Sequence, residues 1–503
     1  MENLLSLTIA VSDRIGAFIK HLENLFDEEF PTRGSKAFIE LLLKVSLFLD
    51  KVLQKQSERI QVKGYESAIE RQIKMIANAT GNLSEWMQFI ETSKSEYTPI
   101  ELVRIIDSLG KRLYINGEII IRSQPQYNWQ FIEIVGEIKK ALESFKKISF
   151  ASLDIEGIFQ NSPDYIVVIS FPDVEKYNLF LHTGLLIHEF GHYFDIINNI
   201  SSQINIHIDE QKLNDLVDIK IDRIRPKPNK DKIYEVKRSI KESIETRIQD
   251  LVISWIGESI ADLISIHFGG PGAFFAFADQ AIMEPSLDDY TMDERYPSFR
   301  IRLKNMLEKL KEIGFKKEKF DKWNKNKEKR EASEILFKEL MKWEKILTTN
   351  GKEIFNNDDI QQKEIEVVKE SFIKTYDTFC SEVEKKLGDV EKATDVFKFT
   401  TDIFNREVFH LLDLIKRGIS PNEIIMRENI DKEGKSQPAN WASILNAGWL
   451  WTFLYLEKPT VYSEEKILKR RTEKSDMLLQ ITKAIERSEV HKKFLNIKSK
   501  FGE

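Results

Sequence analysis

The 503-residue chain is 42% hydrophobic and 11% aromatic, enough apolar material to bury a core and to exclude wholesale disorder. Lysine plus arginine (75) nearly balance aspartate plus glutamate (81), leaving a net charge of −6; the overall basic excess of a nucleic-acid-binding protein is missing, and no nucleic-acid partner is expected. A lone cysteine, Cys380, excludes an internal disulfide framework, four-cysteine zinc sites and iron–sulfur clusters, so any metal must be held by His, Asp and Glu.

The chain opens with MENLLSLTIAVSDRIGAFIK, which is apolar but lacks a basic leading region and carries Glu2 and Asp13. It reads as an amphipathic helix rather than a signal peptide. Residues 1–110 read as helical, with SKAFIELLLKVSLFLDKVLQKQ (35–56) showing apolar residues at helical spacing. In KRLYINGEIIIRSQ (111–124) two β-prone runs flank Asn116-Gly117, which predicts a hairpin. Helix resumes in QFIEIVGEIKKALESFKK (130–147), and DYIVVISFPD (164–173) reads as a short strand. Such a strand could offer an edge to an extended peptide.

A long helix is expected from about Val174 to Asn199, then a solvated loop in RIRPKPNKDK (223–232). A second long helix runs through EVKRSIKESIETRIQDLVISWIGESIADLISIHF (235–268) and stops at Gly269-Gly270. The aromatic run GGPGAFFAFADQ (269–280) fits core packing better than a cleft wall, and 316–334 reads as a Lys/Glu-rich surface segment and a boundary. The uncharged run from Trp441 to Leu456 falls short of the ~20 residues that span a bilayer and reads as a buried helix. The expectation is a cytoplasmic protein without a membrane span. Its fold class is mainly α with a small β component: a helical region 1–150 with the hairpin, an α+β core 151–310, and a helical region 311–503.

The chemistry concentrates in LLIHEFGHYFD (185–195). On a helix, His188 and His192 lie on one face one turn apart, so both imidazoles can bind one Zn²⁺ at about 2.0–2.1 Å. Glu189, beside the first histidine, can reach water at the metal without ligating it, the H-E-x-x-H arrangement of metalloproteases. A catalytic zinc needs a third protein ligand. The spacing H-E-x-x-H-x-x-G-x-x-H is excluded, because Asp195 and Asn198 occupy the last two of its positions.

Glu258 in GESIADL (257–263) fits a third ligand on a second helix, flanked by Trp255, Ile256, Ile260, Leu263 and Ile264. A carboxylate among such neighbours needs a partner. Asp262, four residues on, can accept the free N–H of a ligating histidine; Ala261 allows close helix packing. Asp262, Glu245 and His267 are the alternatives for the third ligand. His182, His207, His21, His410 and His491 read as structural or surface residues.

HEFGH followed by ESIAD resembles the gluzincin zinc peptidases, especially soluble bacterial ones with an ExxAD glutamate helix. YPSFRIRL (296–303) is similar to the His-Pro-x-x-Arg-Ile segment that often follows that helix, with Tyr296 standing where the histidine would be. The resemblance covers residues 164–303. It implies a zincin-like core and a single Zn²⁺ held by His188, His192 and Glu258. It also implies hydrolysis of peptide or protein substrates, with Glu189 as general base. Tyr296, Arg300, His267 and Tyr290 are the candidate contacts to the transition state or substrate. Competing readings are a non-catalytic interaction protein that keeps the fold, and a zinc hydrolase of a non-peptide amide.

Overall fold

The computed structural model describes residues 2–60, 65–112, 117–146, 155–224, 233–283, 295–349, 359–393, 398–426, 435–456 and 464–500. Helix accounts for 79% and strand for about 6%, so the chain is mainly α with a small β component. It divides into two compact units, Met1–Tyr177 and Asn178–Glu503.

In the first unit, α1 (Glu2–Phe26), α2 (Arg33–Arg59), α3 (Glu66–Glu91) and α4 (Ile100–Arg112) precede β1 (Gly117–Gln124) and β2 (Gln130–Glu133); α5 (Ile134–Lys146), α6 (Glu156–Phe159) and β3 (Tyr165–Pro172) follow. Helices α1, α2 and α3 pack on one another, and α2 also lies against β1. Phe38, Leu42, Val45, Leu49, Ile73 and Ile76 join Ile120, Ile166 and Val168 of the sheet in one core. Gly34 permits this approach: a Cβ there would stand 2.5 Å from the Ile119 carbonyl oxygen.

The strand order is β1-β3-β2, with β3 parallel to β1 from Gly117↔Tyr165 to Gln124↔Pro172 and antiparallel to β2. This corrects two expectations. Among the described residues no hairpin spans 111–124: residues 111–112 end α4, Gly117 opens a strand whose partner is parallel, and 113–116, with the expected turn residue Asn116, lie outside the described residues. The strand at 164–173 is central, so both of its edges are taken and it can receive no added peptide strand. Because β3 is bonded to β1 and β2, it belongs to the first unit, which ends at Tyr177.

The second unit contains α7 (Leu179–Asn198), α8 (Ile200–Gln203), α9 (Glu210–Arg223), α10 (Ile233–Gly269), α11 (Pro271–Met283), α12 (Phe299–Glu312), α13 (Lys317–Asn324), α14 (Lys327–Thr348) and α15 (Asp359–Ala393). Beyond them come α16 (Thr401–Ile403), α17 (Phe409–Lys416), β4 (Glu423–Met426), β5 (Lys435–Pro438), α18 (Trp441–Tyr455) and α19 (Glu464–Lys500). Helix α7 starts later than Val174, after a 3₁₀ turn at Asp173–Glu175, and ends where Asn199 adopts a left-handed φ of 51°. The 223–232 loop lies outside the described residues from 225 onward. Segment 316–334 is no bare surface: Phe320 and Trp323 of α13 are buried.

Helix α10 is the axis of this unit, packing on α7, α9, α11, α12 and α15. By length and composition alone it could cross a membrane, but 78% of its most apolar window is buried. It stops where Gly270 takes φ +59°, with Phe399 packed so close that a side chain there would collide. The α10–α11 corner is clamped by α18. Asn446 Oδ1 accepts from the Gly272 N–H at 2.8 Å, and its Nδ2 donates to the Gly269 carbonyl at 2.8 Å. Asn446 is 2% exposed, so no water replaces these bonds. Asn446→Ala therefore strands a buried donor and a buried acceptor, and is expected to lower stability by about 2–4 kcal/mol in urea unfolding.

Candidate metal centre

Four helices of the second unit meet here. The crossing of α7 and α10 is set by two small residues: a Cβ on Gly191 would lie 2.5 Å from Ala261 Cα. Gly191 sits between the two histidines, and Ala261 between Glu258 and Asp262, so the point of closest approach brings the polar residues face to face. A second close contact, Gly184 against Ala276, seats α7 on α11, and Ser265 Oγ donates to the Gly184 carbonyl at 3.0 Å.

His188, His192 and Glu258 each present one ligand atom, all within 4.8 Å of one another. His188 Nε2 is 3.3 Å from Glu258 Oε2, and His192 Nε2 is 3.4 Å from Glu258 Oε1. Two ligands bonded to one tetrahedral ion at 2.0–2.1 Å stand about 3.3 Å apart, so the donor set fits a metal ion in type and spacing. His188 Nδ1 is 2.9 Å from Asp262 Oδ1. With the proton on Nδ1, the imidazole donates to Asp262 and turns its Nε2 lone pair inward, the orientation a ligating histidine requires.

Sequence reasoning missed Arg302. Its Nε and Nη2 donate to the two oxygens of Asp262 at 2.9 and 2.8 Å, and its Nη1 lies 3.0 Å from Glu258 Oε2. Nη2 also lies 3.3 and 3.2 Å from the two ring nitrogens of His188. Its guanidinium stacks 4.3 Å from the centroid of Phe277 on α11. A signal was available: on α12, Arg302 shares one helical row with buried Met306 and Leu310, so a cation occupies a core position.

Burial and these charges set the protonation states. Burial takes the His192 pKa down to about 4. At His188 burial and Arg302 act in the same sense, but the bonds to Asp262 and Glu258 prevail and hold the pKa up at about 9. Glu258 lies well below the usual carboxylate range: burial pulls it up, and Arg302 with the two histidines outweighs burial. Asp262 is lowered in the same way, burial being outweighed by Arg302. Glu189 differs. It is 8% exposed, forms no hydrogen bond or ion pair among the described residues, and burial raises its pKa to about 7.

Of the other expected site residues, Arg300 and His267 have partners outside this cluster. Arg300 Nη1 donates to the carbonyls of Ile346, Leu347 and Thr349, so it caps the end of α14. Tyr296 is 43% exposed, and Tyr290 lies outside the described residues. His267 packs on Phe268 and bears on Glu384, a carboxylate held low first by Lys309 and more weakly by His267. Glu245 is thirteen residues before Glu258, about 20 Å along the same helix, which removes it as an alternative ligand. No protein-family model, curated protein or solved structure matches the chain, so the chemistry of the centre has to be read from its own atoms.

Gly191→Ala drives a methyl group into the α10 backbone. It is expected to destabilise the protein by about 1–3 kcal/mol and to reduce metal retention. Gly81→Ala on α3, where a Cβ meets nothing within 4 Å, is expected to stabilise by about 0.5–1 kcal/mol. Melting curves and metal analysis of the two variants check both outcomes.

Proposed function

We propose that the protein is a zinc-dependent peptidase of the gluzincin type, cleaving peptide bonds with Glu189 as general base. One observation carries this reading. Two histidines and a glutamate converge at metal-ligand spacing, while a fourth buried residue, Glu189, is an unpartnered carboxylate beside the first histidine. A carboxylate confined without a partner is unfavourable unless its basicity is used. Structural duty alone would be served by glutamine.

Zinc bound by His188, His192 and Glu258 would polarise a substrate carbonyl and acidify water at the same point. Glu189, with its pKa raised to about 7, takes the proton from the attacking water at its carboxylate and delivers it to the departing amine. Asp262 holds the His188 Nδ1–H and keeps the ring from turning. Arg302 ties Asp262 and Glu258 into one rigid unit. Phe277 lies over the outer face of that guanidinium and excludes water there.

The purified chain is expected to carry about one zinc per molecule by mass spectrometry, and His188→Ala and Glu258→Gln are expected to lose it. Glu189→Gln should keep the metal and lower cleavage of a fluorogenic peptide library by about 10²–10⁴-fold. A wild-type chain that neither contains zinc nor takes it up ends this reading. A zinc-loaded chain that cleaves no peptide but hydrolyses small acyl amides would shift it to a non-peptide amide hydrolase.

A further inference from the structure

We propose that Arg302 is an internal counter-cation of the metal centre: it lets the centre's carboxylates be buried before metal arrives and, by the same charge, weakens the hold on a divalent ion. The inference rests on the metal-centre reading above.

Asp262 and Glu258 lie one turn apart on the same face of α10, with side chains only 2% and 10% exposed. Two carboxylates at that depth repel each other and have lost their water, which is strongly unfavourable unless a cation joins them. Among the described residues, Arg302 is the one guanidinium or ammonium bonded to either carboxylate. It uses both oxygens of Asp262 and one of Glu258. Lys309, a buried lysine of the same helix, is taken by Glu312 and Glu384. The Arg302 fork therefore offsets one of the pair's two charges permanently, from a helix that supplies no ligand, while His188 bonds to the same two carboxylates from α7.

The same geometry opposes metal. Glu258 Oε2 already lies 3.0 Å from the guanidinium, and a divalent ion on that carboxylate would face a fixed like charge in a poorly solvated site. Nη2 is nearly equidistant from the two His188 ring nitrogens, off the line of the Nε2 lone pair. Arg302 thus leaves the imidazole free to ligate and acts on the ion through charge. Removing that charge raises the free energy of the metal-free protein more than that of the metal-bound protein, so linkage tightens metal binding.

The test measures zinc affinity by competition with a chromophoric chelator, together with melting of the full chain with and without zinc. Arg302→Met is expected to bind zinc at least about tenfold more tightly than wild type. It should melt well below wild type without metal and close to it with zinc. Arg302→Lys keeps the charge without the fork and is expected to stay within about threefold of wild-type affinity. If Arg302→Met folds only when zinc is present, adding Asp262→Asn should restore metal-free folding by removing the unpaired anion. Unchanged zinc affinity in Arg302→Met overturns the proposal. So does weaker binding in both the Met and Lys variants, which would make Arg302 a positioning residue acting through Asp262. Wild type that binds no zinc overturns the metal-centre reading itself, and this inference with it.

Discussion

Charge buried inside a helical core has to be paired where it stands, and this condition organises the second unit. Helix α10 carries Glu258 and Asp262 into surroundings that include Ile256, Ile260 and Ile264, all fully buried. Both carboxylates are largely removed from bulk water, so neighbouring helices must bring partners to them. Helix α7 supplies His188 and His192, and α12 supplies Arg302. His188 and Arg302 each serve more than one carboxylate oxygen, which makes the arrangement cooperative.

Such pairing demands close approach, and small residues provide it. Gly191 against Ala261 lets the α7 and α10 backbones nearly touch, and Gly184 against Ala276 does the same for α7 and α11. The π-face of Phe277 then covers the guanidinium. The α10–α11 corner, held by Asn446 of α18, keeps Phe277 in register with α12. Packing and electrostatics are therefore one problem here: a larger residue at the crossing would separate charges that cannot be left alone.

Within this set, Glu189 is the exception. His188, Glu258, Asp262 and Arg302 satisfy one another, whereas Glu189 is buried without a bond. Natural proteins retain such groups where function uses them. In the first unit, by contrast, β3 is flanked on both sides and the core is mostly aliphatic.

Local spacing alone determined a good deal. Helical periodicity made the chain mainly α, and an i, i+4 pair of histidines on a helix can only face one way. The apolar neighbours of Glu258 marked it as a carboxylate in need of a partner, and the small Ala261 marked a helix crossing. These are properties of one segment, so they survive without knowledge of the rest. What depends on segments distant in the chain was decided only by the tertiary structure. The run at 117–124 is β-prone either way, but only the position of β3 makes it a parallel strand rather than half of a hairpin. Arg300 and Arg302 are two residues apart with the same side chain. Helix rotation sends one to the end of α14 and the other into the candidate metal centre, and which is which follows from the face of α12 that packs on α10.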